Sequence, residues 1–288
     1  MLRAMAERSE AVLITGCSSG IGRATALRLA RSGWTVYASA RRPETLVDLA
    51  EAGCRTLALD VTDEQSMGAA VAGVEQAEGA VGVLINNAGY SQSGAIETVP
   101  MDAVRRQFET NYFGVVRLTQ LVLGKMRAQR WGKIVNLGSM GGRLSFPGGG
   151  HYHATKHALE ALSDVLRFEL RGFGIDVILL EPGLITTEFG EAAHASMSDV
   201  PTPDGDPYAR FNAAVAAVSK GAYEGPMRHL GAGPERVAAV IERALRRRRP
   251  PTRIAITPSA KITIATRRLL PDRAWDAAMR AQFPQPAA

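Results

Sequence analysis

The chain has 288 residues, enough for one large α/β domain, and its hydrophobic content of 46% supports a sizeable core. No apolar run reaches the length of a membrane span, and the two cysteines, Cys17 and Cys54, exclude a disulfide framework and offer no metal-ligand spacing. The net charge of +6 suits an anionic cofactor or an anionic surface without choosing between them. The first eight residues carry charges where a signal peptide would have its apolar region, so a soluble cytoplasmic protein in a reducing compartment is expected.

Residues 11–14 (Ala-Val-Leu-Ile) read as a short strand, and residues 23–30 have helical spacing. Between them stands a glycine-rich turn holding Gly16, Ser18, Ser19, Gly20, Ile21 and Gly22. Strand, turn and helix form the nucleotide-binding opening of a doubly wound fold. The glycines let the backbone approach a pyrophosphate, and the helix N-terminus offers unpaired N–H groups. A second strand is expected at residues 35–39, followed by Ala40, Arg41 and Arg42. An NAD site would place an acid here to bond the ribose 2′-hydroxyl. Arg41 instead suits a 2′-phosphate, which it can grip bidentately.

A third strand at 55–59 ends at Asp60 and Val61, where a carboxylate can accept from an adenine amino group beyond the strand end. A helix over 64–78 leads to a strand at 81–85 and then to Asn86, Asn87, Ala88 and Gly89, which can brace a loop beside a ribose. Residues 101–129 read as one long helix or two abutting ones, with Asn111 among Phe108, Tyr112 and Val115. Such an asparagine is ordinarily a satisfied structural group.

Residues 134–137 form a buried strand, with Ser139 just beyond it. Tyr152 and Lys156 stand four apart at a helix start, hence on one face. An ammonium one turn from a phenol favours the phenolate, and an unperturbed tyrosine pKa of about 10 needs such help near neutral pH. A sixth strand at 175–180 precedes Pro182, Gly183, Ile185 and Thr187. From about 188 to 233, prolines and glycines break the pattern, and a mobile lid with short helices over the substrate pocket is expected. A helix from 234 to 249 ends in four arginines, read as a solvated helix end rather than a nucleic-acid patch. A last strand at 252–256 is followed by a basic amphipathic tail. Tails of this kind more often pack on their own domain or a partner subunit than on a membrane.

Together these motifs resemble the short-chain dehydrogenase/reductase family. The carrying residues are Thr15-Gly-x-x-x-Gly-x-Gly22, Asn86-Asn-Ala-Gly89, Asn111, Ser139, Tyr152-x-x-x-Lys156 and Pro182-Gly183, in the family's order and spacing over about residues 10–190. The stretches at 37–42 and 146–160, with the extended basic C-terminus, look like the subgroup holding 17β-hydroxysteroid and retinol dehydrogenases. The resemblance implies a single Rossmann-type α/β domain over 8–258, a doubly wound parallel sheet with helices on both faces, and a C-terminal helical extension at 259–288.

It also implies roles. Tyr152 would be the proton donor in reduction and the acceptor in oxidation. Lys156 would hold the nicotinamide ribose and lower the tyrosine pKa, Ser139 would polarise the substrate carbonyl, and Asn111 would position a water behind Lys156. Asp60 and Val61 would meet adenine, Asn87, Ala88 and Gly89 the adenosine ribose, and Pro182, Gly183, Ile185 and Thr187 the nicotinamide end. The expected cofactor is NADP(H), with NAD(H) as the second candidate and no metal. The expected activity interconverts a ketone or aldehyde and an alcohol on a bulky apolar substrate of steroid, retinoid or polyketide type, in a homodimer or homotetramer without nucleic acid. Two rivals are a non-catalytic dinucleotide-sensing regulator and a membrane-surface lipid reductase. The intact Ser139, Tyr152 and Lys156 favour the enzyme.

Overall fold

Seven parallel strands form the centre of the molecule in a computed structural model that describes residues 8–286 except 201, 202 and 204. The charged opening at residues 1–7 and the helix breaker Pro201 lie outside the described residues. The strands are β1 (Val12–Ile14), β2 (Val36–Ala40), β3 (Arg55–Ala58), β4 (Val83–Asn86), β5 (Gly132–Leu137), β6 (Ile175–Glu181) and β7 (Arg253–Ala255). Their order is β3-β2-β1-β4-β5-β6-β7, and every pairing is parallel. This is the doubly wound arrangement, with its crevice where β1 and β4 lie side by side, Ile14 against Ile85.

The period of two along each strand divides the core. Val12 and Ile14, Val83 and Ile85, and Val135 and Leu137 face α1 (Gly20–Arg31), α2 (Val47–Glu51) and α9 (Pro234–Leu245). Leu13, Leu84, Ile134 and Val177 face α3 (Glu64–Glu78), α5 (Gly114–Ala128) and α6 (Gly150–Leu170). Leu13, Leu84 and Ile134 are fully buried, each worth roughly 1.5–3 kcal/mol relative to exposure.

The second strand runs one residue later than its sequence pattern suggests, because Ala40 pairs with Ala58 at its far end. The region at 101–129 is α4 (Met101–Phe108) and α5 joined by one π-helical turn, Glu109–Phe113. The helix expected to reach residue 249 stops at Leu245. There the buried ammonium of Lys133 on β5 donates to the carbonyls of Leu245 and Arg247, both at 2.6 Å, and ends the helical run. Arg246 to Arg249 are exposed. The segment at 188–233, expected to form a lid, is largely helical, with α7 (Glu188–Ala195) and α8 (Ala209–Glu224). Both its feet are fixed, since Ile185 and Ala232 form a parallel bridge. The tail forms α10 (Pro258–Leu269) and α11 (Asp272–Arg280). Its apolar face, with Ile264, Trp275, Met279 and Phe283, packs on Leu144, Phe211 and Val215 of the same chain. Among the described residues no helix is long and apolar enough to cross a membrane.

Candidate active site

One cleft of about 1040 Å³ opens along the C-terminal ends of the strands. It is lined by Gly16, Ser18, Ser19, Gly20, Ile21, Arg41, Asp60, Val61, Asn87, Ala88, Gly89, Ser139, Tyr152, Lys156, Pro182, Gly183, Ile185 and Thr187. Of the residues singled out from sequence, Gly22 and Asn111 do not line it. Both sit one layer behind its wall.

The glycine loop is locked from below. Gly16 holds a φ of +71°, and a Cβ there would stand 2.9 Å from the Cα of Ala88. A Cβ on Gly22 would come within 2.3 Å of the Gly16 carbonyl and 2.5 Å of the Asn87 amide nitrogen, so this glycine serves close packing rather than ligand contact. Asn87 Nδ2 donates to the carbonyls of Thr15 (2.8 Å) and Gly16 (3.0 Å). Thr15 Oγ1 accepts from the backbone N–H of Asn87 (3.0 Å) and Ala88 (2.9 Å). Ser19 does not cap α1 with its side chain, so the helix N-terminus faces the cleft without a side-chain acceptor. This donor set and the shape of the loop fit the pyrophosphate of a dinucleotide.

At one end of the cleft Arg41 follows β2, exposed, beside Ala40 and Asp60. One oxygen of Asp60 is already bonded to the backbone and hydroxyl of Thr62, at 2.9 and 2.8 Å. Tyr90 and Arg106 line the same cleft and were not singled out from the sequence. The phenol of Tyr90 is pushed up by burial, against the opposing charges of Arg106 and Arg41.

At the other end α6 starts at Gly150, two residues before Tyr152. Lys156 is buried, and its ammonium donates to the Leu137 carbonyl at 2.6 Å. That ammonium lies 5.7 Å from the centre of the Tyr152 ring. Burial pulls its pKa down to about 8. Ser139 Oγ accepts from the Gly141 N–H at 3.0 Å, which leaves the hydroxyl proton free to donate. Phe189 of α7 covers Tyr152, with ring centres 5.7 Å apart.

Asn111 is buried in the π-helical turn. Its Oδ1 accepts from Tyr90 N–H at 3.1 Å, and its Nδ2 donates to Tyr90 O (2.9 Å) and Thr155 Oγ1 (3.1 Å). A Cβ on Gly89 would lie 3.1 Å from Asn111 Oδ1 and 3.9 Å from Lys156 Nζ, so these three converge. Tyr90 and His153 complete the surroundings, and adjacency to known motifs was their one available signal. His153 accepts no charge readily: burial takes its pKa down to about 4, and its Nδ1 faces the Gly141 carbonyl at 3.1 Å.

Residues 10–198 match the family described as short chain dehydrogenase. The chain is a short-chain dehydrogenase/reductase. Among curated relatives of this dehydrogenase, the uncharacterized oxidoreductase YusZ of Bacillus subtilis is 36% identical over 280 residues, covering 93% of this chain and 96% of that one. A 3-ketodihydrosphingosine reductase of Bacteroides thetaiotaomicron is 34% identical over 93% of this chain and 96% of its own. An NADPH-dependent 3-dehydrocapnine reductase of Ornithobacterium rhinotracheale is 34% identical over 92% of this chain and 94% of its own.

Among solved structures, a short-chain dehydrogenase of Streptomyces avermitilis superposes with a TM-score of 0.79 at 36% identity, covering 96% of this chain and 99% of that one. A serine dehydrogenase complexed with NADP+ gives 0.74 at 25% identity, covering 86% and 94%. A short-chain dehydrogenase/reductase of Burkholderia phymatum in complex with NAD gives 0.77 at 25%, covering 97% of each. This short-chain dehydrogenase/reductase is an NAD(P)-dependent oxidoreductase, and its cofactor is a nicotinamide dinucleotide.

Proposed function

We propose that the protein is an NADP(H)-preferring carbonyl reductase and alcohol dehydrogenase for a bulky apolar substrate, with Ser139, Tyr152 and Lys156 as its catalytic residues. The observation that carries this reading is the buried Lys156 ammonium, 5.7 Å from the Tyr152 ring, in the cleft that also holds Ser139 and the glycine loop. The bound dinucleotide supplies or receives a hydride. Tyr152 gives the carbonyl oxygen its proton in reduction and takes it back in oxidation. Ser139 donates its free hydroxyl proton to the same oxygen and orients it. Lys156 spends one N–H on Leu137, and two remain for the nicotinamide ribose hydroxyls. Its charge stabilises the phenolate form of Tyr152.

Residues Gly16, Ser18, Ser19, Gly20 and Ile21 hold the pyrophosphate, and Arg41 grips a 2′-phosphate. Asp60 and Val61 face adenine, Asn87, Ala88 and Gly89 flank the adenosine ribose, and Pro182, Gly183, Ile185 and Thr187 hold the nicotinamide end. Asn111 positions the Gly89–Tyr90 backbone behind Lys156. Support for reduction with NADPH comes from the two relatives named as reductases, one of them as NADPH-dependent. Residues 188–233 act as the lid. The exposed Phe113 of the π-helical turn before α5, with Val165 and Phe168 of α6, supports a homodimer or homotetramer built through these helices. The test is a panel of ketones and secondary alcohols followed by nicotinamide absorbance with both cofactors. Saturable turnover of apolar ketones, faster with NADPH, is expected; no turnover with either cofactor would overturn the reading.

A further inference from the structure

Behind the catalytic cleft lies a second cavity of about 610 Å³, within the usual range of small-molecule sites. Its apolar wall comes from Leu144, Phe146, Phe211, Trp275, Met279 and Phe283. Phe146 lines both this cavity and the catalytic cleft. A run of rings leads from one to the other. Tyr152 and His153 lie 5.7 Å apart, His153 and Phe146 6.0 Å, and Phe146 and Trp275 5.9 Å.

Two of the charged groups around the cavity are already engaged. Arg143 is held by Glu160 at 3.3 Å. Arg267 is held by Asp272 at 2.5 Å and lies over the Trp275 ring. Arg280 and Asp276, opposite in sign, share one turn of α11 and both line the cavity. His153, which lies in the ring path beside Tyr152, is kept neutral by burial. The rest of the lining is chiefly hydrocarbon and aromatic, with Ser145, His157 and Gln285 as its uncharged or weakly basic polar positions.

We propose that this cavity receives the distal hydrocarbon chain of the substrate, with Phe146 as the wall between the reacting carbonyl and the chain. An unbranched chain is one methylene wide and passes beside a single ring. A fused polycyclic body is several times wider than one methylene and would collide with the Phe146 ring. The substrate class is thus narrowed to open-chain ketones whose chain runs past Phe146. The proposal rests on the reading of the cleft as a carbonyl-reducing site.

The test uses the full-length enzyme with a homologous series of unbranched 2-alkanones. Once the chain is long enough to pass Phe146, kcat/KM should climb by roughly fourfold per added methylene, the about 0.8 kcal/mol of a buried CH₂ converted at about 1.4 kcal/mol per decade. Ser145 lines the cavity from an exposed position, so Ser145→Trp fills it with little risk to folding. That variant should lower the ratio of long-chain to short-chain kcat/KM by at least tenfold. As a direct probe, a 2-alkanone brominated at its far end should quench Trp275 emission, and Trp275→Phe should remove that component. Turnover of short ketones with no rise along the series, and no quenching, would overturn the chain cavity while leaving the carbonyl-reductase reading intact. Absence of turnover on every ketone would sink that reading instead, and quenching of Trp275 by the brominated probe would still decide the cavity.

Discussion

Replacing Asn111 by alanine separates a structural asparagine from one that acts on the chemistry alone. The side chain is 1% exposed and spends its polar atoms on protein partners. After truncation Tyr90 O keeps a bond from Gln107 Nε2 at 3.2 Å, and the Thr155 hydroxyl keeps its bond to Tyr152 O at 2.7 Å. The group left without its acceptor is the Tyr90 N–H. One orphaned donor costs about 1–3 kcal/mol, and the two other lost bonds about 0.5–1.5 kcal/mol each. Because Tyr90 is half-buried, the lower part of that span applies, so a loss of about 2–4 kcal/mol is expected. Gly89 and Tyr90 line the cofactor cleft, so dinucleotide affinity should fall with it. Denaturant unfolding measures the first effect through the shift in midpoint, and fluorescence titration with the dinucleotide measures the second. Thr155→Val, which removes one of the three bonds and the Thr155 hydroxyl's own bond to Tyr152 O, should cost about 1–3 kcal/mol. If Asn111→Ala unfolded at the parental midpoint and bound dinucleotide normally while turnover collapsed, the hydrogen-bond account would be refuted and a purely chemical role would stand.

Three further outcomes follow from the same cleft. Tyr152→Phe should lower turnover by about 10²–10⁴ with little change in cofactor affinity, and steady-state kinetics showing less than a tenfold loss would contradict its role as acid. Lys156 carries a pKa lowered to about 8 by burial, so it is charged at neutral pH and loses its charge above that value. Dinucleotide affinity should therefore weaken between pH 7 and pH 9.5, and Lys156→Met should flatten that dependence in a titration series. A lowered folded-state pKa for a base means the native chain binds fewer protons between about 8 and 10.5, so this group's contribution to stability rises with pH across that window. Arg41→Ala should reduce the NADPH-over-NADH ratio of kcat/KM by about ten- to a hundredfold, and Ala40→Asp should reverse it; a parent that prefers NADH would remove Arg41 from the phosphate site.

Motifs whose chemistry demands particular residue types were legible in the sequence. The glycine loop, Ser139, Tyr152 and Lys156 fall in one cleft because strand ends and helix starts alternate along the chain, and local periodicity reveals both. Pairings between distant segments were hidden. The early end of α9 depends on Lys133, more than a hundred residues away, whose apolar stem and charged tip look from sequence like a surface lysine. Asn111 reads as a polar residue on an apolar face, but the π-helical turn that aims both ends of its amide leaves no trace in periodicity. Prolines and glycines around 188–233 suggested only short helices in a broken pattern; the full length of α8 was hidden because tertiary contacts such as Gln92 to Ser196 (2.7 Å) and Ala95 to Asn212 (3.1 Å) brace this segment. The tail's amphipathic pattern left its partner open, since the surface that buries Trp275 and Phe283 is assembled from residues far upstream.

The place of β7 and the tail also sets the order in which the enzyme becomes complete. A nascent chain emerges N-terminus first, and domains begin to fold before synthesis ends. The strands β1 to β4 are contiguous in the sheet and lie within the first 86 residues, so the dinucleotide half can assemble while the ribosome still holds the remainder. The loop at 183–184 is different. Its backbone N–H groups are tied to the hydroxyls of Thr257 and Ser259, and the apolar wall beyond Phe146 waits for α11. A prematurely terminated chain would therefore grip nucleotide without a finished substrate chamber. Ribosome-arrested chains ending before residue 250 should retain dinucleotide in a pull-down, whereas oxidoreductase activity should appear when the final helices leave the exit tunnel.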